Sequence, residues 1–63
     1  MEKAFINSSY YKGLHDDIAH DYRRIGHALD NYGVDMSKGL REALEGLQRA
    51  TEAVLKQMEA ERG

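Results

Sequence analysis

The chain has 63 residues and a formal net charge of −2, from 9 basic and 11 acidic side chains. A chain this short is marginally stable unless a metal, a disulfide or a partner chain supports it. It contains no cysteine, which excludes disulfides and thiolate metal sites and is compatible with a reducing compartment. The slight acidic excess argues against a protein that coats nucleic acid. Since we find neither a membrane-length apolar run nor a signal-peptide core, we expect a small cytoplasmic protein.

The apolar residues form two strings in which steps of three and four residues alternate. The first string contains one histidine and consists of Tyr11, His15, Ile18, Tyr22, Ile25, Leu29 and Tyr32. The second string consists of Leu40, Leu44, Leu47, Thr51, Val54 and Met58. This spacing places each string on one face of an α-helix, as in a coiled coil or helix bundle, whereas alternation typical of strands is absent. The sequence therefore predicts an all-α protein with two helices.

The predicted helices run from about residue 9 to 32 and from about residue 38 to 59, with a turn over 33–37 between them. Gly33 is expected to end the first helix in the left-handed conformation, with Val34 folded back onto the helix. Because the connection is short, the two helices are expected to form an antiparallel hairpin. The few residues before the first helix indicate a short N-terminal arm or helix.

Polar side chains mark the predicted starts of both helices. Ser8 or Ser9 is the expected cap of the first helix, and Asp35 or Ser37 that of the second. The second helix also carries opposite charges four residues apart, which stabilise a solvated helix face. These pairs are Lys38–Glu42, Arg41–Glu45, Glu45–Arg49 and Glu52–Lys56.

Neither helix can bury its apolar string well within one hairpin. The first string is rich in tyrosine, and apolar burial barely offsets chain entropy in a protein of this size. We therefore expect a homo-oligomer, at least a dimer that forms a helical bundle, with the chain number and the helix orientation between chains left open. The expected interface residues are His15, Ile18, Tyr22, Ile25, Leu29, Leu40, Leu44, Leu47, Val54 and Met58.

The sequence contains no pattern typical of an enzyme active site. We find no nucleophile elbow, phosphate loop or pair of carboxylates on facing elements. Asp16 and His20 are four residues apart on one helix, but two ligands are too few for a metal site. We therefore expect no catalytic residue, no metal and no other cofactor, and a protein that acts by binding.

An aromatic and basic cluster, Tyr10-Tyr11-Lys12, lies at the start of the first helix. An exposed tyrosine ring there could stack on a nucleobase while the lysine contacts a phosphate. Arg23 and Arg24 could add guanidinium contacts to phosphate oxygens. In the alternative interpretation, Tyr11 packs in the seam with its hydroxyl at the wet edge, and the arginines pair with acidic residues.

Short motifs in both helices add a family resemblance. The first helix carries Asp21-Tyr22-Arg23-Arg24-Ile25 through Leu29, and the second carries Ser37, Ala43-Leu44, Leu47 and Ala50. Over roughly residues 14–56 the chain resembles the small phage helical-hairpin proteins that sequester cyclic oligonucleotides in anti-CBASS defence. The resemblance implies a base-stacking tyrosine and phosphate-binding basic residues between subunits, for which Tyr11 and Lys12 are the matching positions. This chain departs from the family at Ala53, where an aromatic residue is usual.

Two functions of different classes follow from these observations. One is a phage counter-defence protein that sequesters a cyclic nucleotide through Tyr10, Tyr11, Lys12, Arg23 and Arg24. The alternative is a small protein-interaction module, an adaptor or inhibitor, that docks a host or partner protein through its bundle face. A structural oligomer without a ligand is a third possibility. Neither a membrane nor a nucleic-acid polymer is an expected partner.

Overall fold

The computed structural model describes residues 4–62, which form two long α-helices joined by a short 3₁₀ turn. Helix α1 comprises Ser9–Tyr32, the turn comprises Gly33–Asp35, and helix α2 comprises Lys38–Arg62. No strand occurs over this range, and the two helices pack against each other along an elongated molecule of 45 × 17 × 15 Å. The predicted all-α helical hairpin is therefore confirmed.

Ser8 caps the first helix, and its hydroxyl makes two hydrogen bonds. Its hydroxyl accepts from the backbone N–H of Tyr11 at 3.1 Å and donates to the carbonyl of Phe5 at 2.6 Å. The second bond draws the preceding chain into a turn over residues 4–7, so this part of the N-terminal arm is a turn and not a helix. The Phe5 ring packs edge-on against Tyr11, with ring centroids 5.5 Å apart. The remainder of the predicted arm, residues 1–3, lies outside the described range.

The end of α1 differs from the prediction. Gly33 has φ −58° and ψ −34°, which is right-handed helical geometry, and its N–H bonds to the carbonyl of Leu29. The chain then tightens into the 3₁₀ turn, where the N–H of Met36 bonds to the carbonyl of Gly33. The left-handed cap predicted at Gly33 was therefore wrong, because the backbone continues in the same hand and leaves Val34 exposed instead of folding it back.

Helix α2 is capped by Ser37 and extends beyond its predicted end. The Ser37 hydroxyl accepts the N–H of Leu40 at 3.1 Å, so Ser37 and not Asp35 is the cap. The helix continues to Arg62, three residues beyond the predicted end at about 59. No glycine or proline interrupts residues 59–62, and a side-chain bond of 2.9 Å between Gln57 and Glu61 supports this last stretch.

Few side chains are fully buried between the two helices. Among residues 4–62 only Tyr11, at 5% exposure, and Met58, at 8%, are fully buried apolar side chains. The remaining inner positions are half-buried: His15, Ile18, Tyr22, Ile25, Leu29, Leu44, Gln48, Thr51 and Leu55. Most of the first predicted string therefore faces α2, with Tyr32 exposed at its end.

The inner face of α2 is rotated relative to the predicted second string. Gln48 and Leu55 occupy inner positions, whereas Leu40, Leu47 and Val54 are 50%, 50% and 43% exposed. In this arrangement Gln48 lies close to Gly26, where an added Cβ atom would be only 2.9 Å from the side-chain nitrogen of Gln48. A glycine opposite leaves room for this long polar side chain between the helices.

Candidate functional site

Three large apolar residues of α2 are exposed along one side of the hairpin. Leu40, Leu47 and Val54 are spaced by seven residues, or about two helical turns, and so lie on one stripe. The positions between them on the same stripe are Ala43 and Ala50, which are small and exposed. We call these five residues the apolar stripe. It contains no charged side chain.

A groove joins the apolar stripe to α1. Its volume is about 370 Å³, and Leu47 lines it together with Ile25 and Ala28 of the facing helix. Leu44 and Thr51 form its floor between the helices, and Asp21 and Arg24 stand at its α1 edge. This side of the hairpin is therefore concave and mainly apolar, a shape that accepts apolar side chains from another molecule.

The opposite side of α2 is charged. Helical periodicity places Arg41, Glu45 and Glu52 on the flank away from the stripe. Of the four predicted pairs, only Glu52–Lys56 lies within 4.0 Å over residues 4–62, with its atoms 3.7 Å apart. An exposed pair of this kind adds a few tenths of a kcal/mol. The hairpin thus has one apolar face and one solvated face.

The structure gives Tyr11 a packing role. Its ring lies between Phe5 and His15, stacked on the histidine with centroids 6.1 Å apart. Its hydroxyl donates to the backbone carbonyl of Met58 at 2.8 Å, which ties the start of α1 to the end of α2. A tyrosine that is 5% exposed presents no free ring face to a nucleobase. This placement fits the alternative in which Tyr11 packs in the seam, although Tyr11 also lines, with Lys12, a cleft at the open end of the hairpin. The base-stacking role of Tyr11 stays a prediction.

The other predicted ligand-binding residues lie in three separate places, because Tyr10 and Lys12 line different depressions. Tyr10 is 71% exposed, and Lys12 lines a cleft of about 370 Å³ at the open end of the hairpin. Arg23 and Arg24 line a shallow depression of about 450 Å³ further along α1. Since Tyr10 and Arg23 are 13 positions apart on one helix, about 20 Å separates them. One chain does not bring Tyr10, Lys12 and the two arginines together in one site.

The cleft at the open end contains a residue that the sequence interpretation missed. Arg62 lines it with Lys12, His15 and Asp16, and reaches it because α2 continues past residue 59. The absence of a helix breaker before Gly63 was the available signal. His15 also bridges the helices here, with its Nε2 atom 3.3 Å from a carboxylate oxygen of Glu59.

Residues 4–62 lack two other kinds of feature. No group of three or more histidine or carboxylate side chains is arranged to hold a metal ion there. Neither α1 nor α2 combines the length and the apolar content that crossing a membrane requires.

Comparisons with protein-family models, curated proteins and solved structures found no match to this chain.

Proposed function

We propose that the protein is a non-enzymatic protein-interaction module that docks a helical partner on the side carrying the apolar stripe. The observation that carries this proposal is the exposure of Leu40, Leu47 and Val54 in a chain whose described residues include only two fully buried apolar side chains. Burying a large apolar side chain contributes roughly 1.5–3 kcal/mol. A contiguous exposed stripe of this kind is typical of an interaction site.

The shape of the site favours a helix as the docked element. Two antiparallel helices leave a groove between them into which a third helix packs by ridges and grooves. The groove beside Leu47 is lined by Ile25 and Ala28, which are half-buried and leave space above them. An amphipathic helix would fill it with apolar residues spaced by three and four positions. Such a module acts as an adaptor or inhibitor, and the absence of cysteine suits a cytoplasmic setting.

The test uses one variant on the stripe and one beside it. Leu47→Glu places a carboxylate in the groove, whereas Ala53→Glu adds the same group at an exposed position on the side of α2 that faces away from α1. We expect tagged wild type and Ala53→Glu to capture the same partner, in amounts stoichiometric with the bait, and Leu47→Glu to lose at least about tenfold in affinity. Circular dichroism checks that both variants stay helical. Equal capture by Leu47→Glu would overturn the proposal.

A second candidate function has its own supporting observation. The exposed Tyr10 ring and the depression formed by His20, Arg23, Arg24 and His27 offer an aromatic platform and a basic surface. Together with the family resemblance, they support sequestration of a cyclic nucleotide signal by a phage counter-defence protein. Because about 20 Å separates the two groups on α1, this function requires two or more chains to complete one site.

A thermal-shift panel of cyclic dinucleotides and trinucleotides tests this second function. A ligand at a hundred times its dissociation constant stabilises the folded state by about 2.7 kcal/mol, which raises the melting temperature by several degrees. The double variant Arg23→Ala with Arg24→Ala should abolish the shift, while Lys38→Ala on α2 should retain it. No shift with any cyclic nucleotide on a folded wild type would contradict the function.

A further inference from the structure

The hairpin exposes more surface than a folded monomer of its mass. Its accessible surface is 4962 Å² for a chain of 7.2 kDa. The scaling of surface with mass gives about 4,100 Å² for a monomeric protein of this size, so the excess is about 800 Å². That excess equals roughly the area that each partner contributes to a standard protein interface. The elongated molecule therefore has the surface that one stable contact would bury.

The three large residues of the apolar stripe are spaced evenly about Leu47. Leu40 and Val54 each lie seven residues from Leu47, while Ala43 and Ala50 lie four and three residues from it. A two-fold axis through Leu47 would set Leu47 against Leu47 of a second copy and Leu40 against Val54 of the second copy. Such an axis reverses the helix direction and pairs the three large residues with one another, as an isologous contact requires. It also sets Ala43 against Thr51 and Ala50 against Leu44 of the second copy.

The charges near the stripe allow this self-contact. The stripe has no ionisable side chain, so two copies bring no like charges together along it. Asp21 and Arg24 at the α1 edge of the groove carry opposite charges and leave that edge neutral. The small side chains of Ala43 and Ala50 permit close approach of two helix backbones.

We propose that a second copy of this chain covers the apolar stripe, with the two α2 helices antiparallel about a two-fold axis at Leu47. The inference rests on the proposed function, since it names the partner of the same face. The resulting dimer is a four-helix bundle in which the groove beside Leu47 receives side chains of the second copy. The charged flank of α2 then stays on the outside of the bundle.

Single cysteine variants test the register, because the chain has no cysteine of its own. A disulfide forms only where the two Cα atoms lie within about 7 Å. Under mild oxidation, Leu47→Cys should form a disulfide-linked dimer by itself. Leu40→Cys should not, since its two copies would lie about 20 Å apart, but a mixture of Leu40→Cys and Val54→Cys should form a linked heterodimer. Glu45→Cys on the charged flank is the matched control and should stay unlinked.

The outcomes separate this inference from the proposed function. Efficient linkage of Leu40→Cys alone would mean parallel α2 helices and would overturn the proposed symmetry. A light-scattering mass of one chain at high protein concentration would overturn self-association altogether. In either case, stripe-dependent capture of a different protein would leave the interaction module standing. A mass of twice 7.2 kDa with linkage at residue 47 supports the inference.

Discussion

At the residue scale, Tyr11 links the start of α1 to the end of α2 at the open end of the hairpin. Its hydroxyl reaches the carbonyl of Met58, 47 positions away in the sequence, and its ring fills the space between Phe5 and His15. The periodicity of the first string predicts that Tyr11 faces α2, but it cannot predict the bond to Met58. That bond depends on the axial register of α2 relative to α1, which no local sequence pattern specifies.

Tyr11→Phe should destabilise the hairpin by about 0.5–1.5 kcal/mol, because it keeps the ring and removes one buried hydrogen bond. Urea denaturation followed by circular dichroism measures the change as a lower midpoint at constant slope. Tyr10→Phe is the matched control, since its exposed ring should change stability by less than about 0.5 kcal/mol. Equal midpoints for the two variants would show that the bond to Met58 contributes nothing.

At the element scale, the helix starts depend on single hydroxyl groups. Ser8 accepts the N–H of Tyr11 and Ser37 accepts that of Leu40, and each satisfies a donor that the helix leaves free. The sequence predicts a serine cap but cannot choose between Ser8 and Ser9, because both have the same side chain and adjacent positions. The choice is made by the turn before α1, in which Ser8 also bonds to Phe5.

Ser8→Ala should lower stability by about 1 kcal/mol, whereas Ser9→Ala should leave it unchanged or raise it slightly. The first change removes the cap, and the second replaces a serine inside the helix by a residue with a higher helix propensity. Thermal melting at one fixed protein concentration gives both values. A larger loss for Ser9→Ala would place the cap one residue later than the structure does.

The glycines of α1 offer a second comparison. A methyl group added at Gly13 would have nothing within 4 Å, while a methyl group at Gly26 would meet the Gln48 side chain at 2.9 Å. Gly13→Ala should therefore raise stability by about 0.5–1 kcal/mol through helix propensity alone. Gly26→Ala should raise it less, because the Gln48 amide must move aside. Thermal melts of both variants test this, and an equal gain would mean that Gln48 does not pack over Gly26.

The sequence predicted the helices and the inner face of α1, but not the inner face of α2. Two possible inner faces of α2 share Leu44, Thr51 and Met58. One of these faces also includes Leu47, and the other includes Gln48. Hydrophobicity favours the stripe with Leu47. The structure places Gln48 inward and close to Gly26, a contact between residues 22 positions apart that periodicity does not reveal.

In the candidate site, too, the sequence predicted what depends on local pattern and not what depends on contacts between the helices. Tyr10, Lys12, Arg23 and Arg24 were selected by residue type, and their roles in ligand binding stay predictions. Their separation along α1 was implicit in the helix assignment, since 13 positions of helix span about 20 Å. The apolar stripe, in contrast, became a candidate surface only when the structure left Leu40, Leu47 and Val54 exposed.

At the scale of the whole molecule, the hairpin buries few apolar side chains and exposes a large surface for its mass. Only two apolar side chains within the described range are fully buried, and the accessible surface is 4962 Å², so burial of one face against another molecule would add stability. If association buries that face, the apparent stability of the folded state depends on protein concentration by mass action. The stability of one chain then cannot be separated from that of the assembly.

Leu47→Glu should uncouple stability from concentration. The variant keeps the inner contacts of α2 but places a charge on the apolar stripe, so we expect it to melt at a lower temperature that is the same at every protein concentration. Ala53→Glu should behave like the wild type, since its carboxylate lies beside the stripe on the side of α2 that faces away from α1. A Leu47→Glu variant that melts like the wild type would contradict a role for the stripe in association.

The most direct measurement of the central claim is the melting temperature of the wild-type protein over a wide range of concentrations, with the mass followed by light scattering. A stripe covered by a second copy predicts a melting temperature that rises with concentration and a mass that approaches twice 7.2 kDa. A constant melting temperature with the mass of one chain throughout would contradict it.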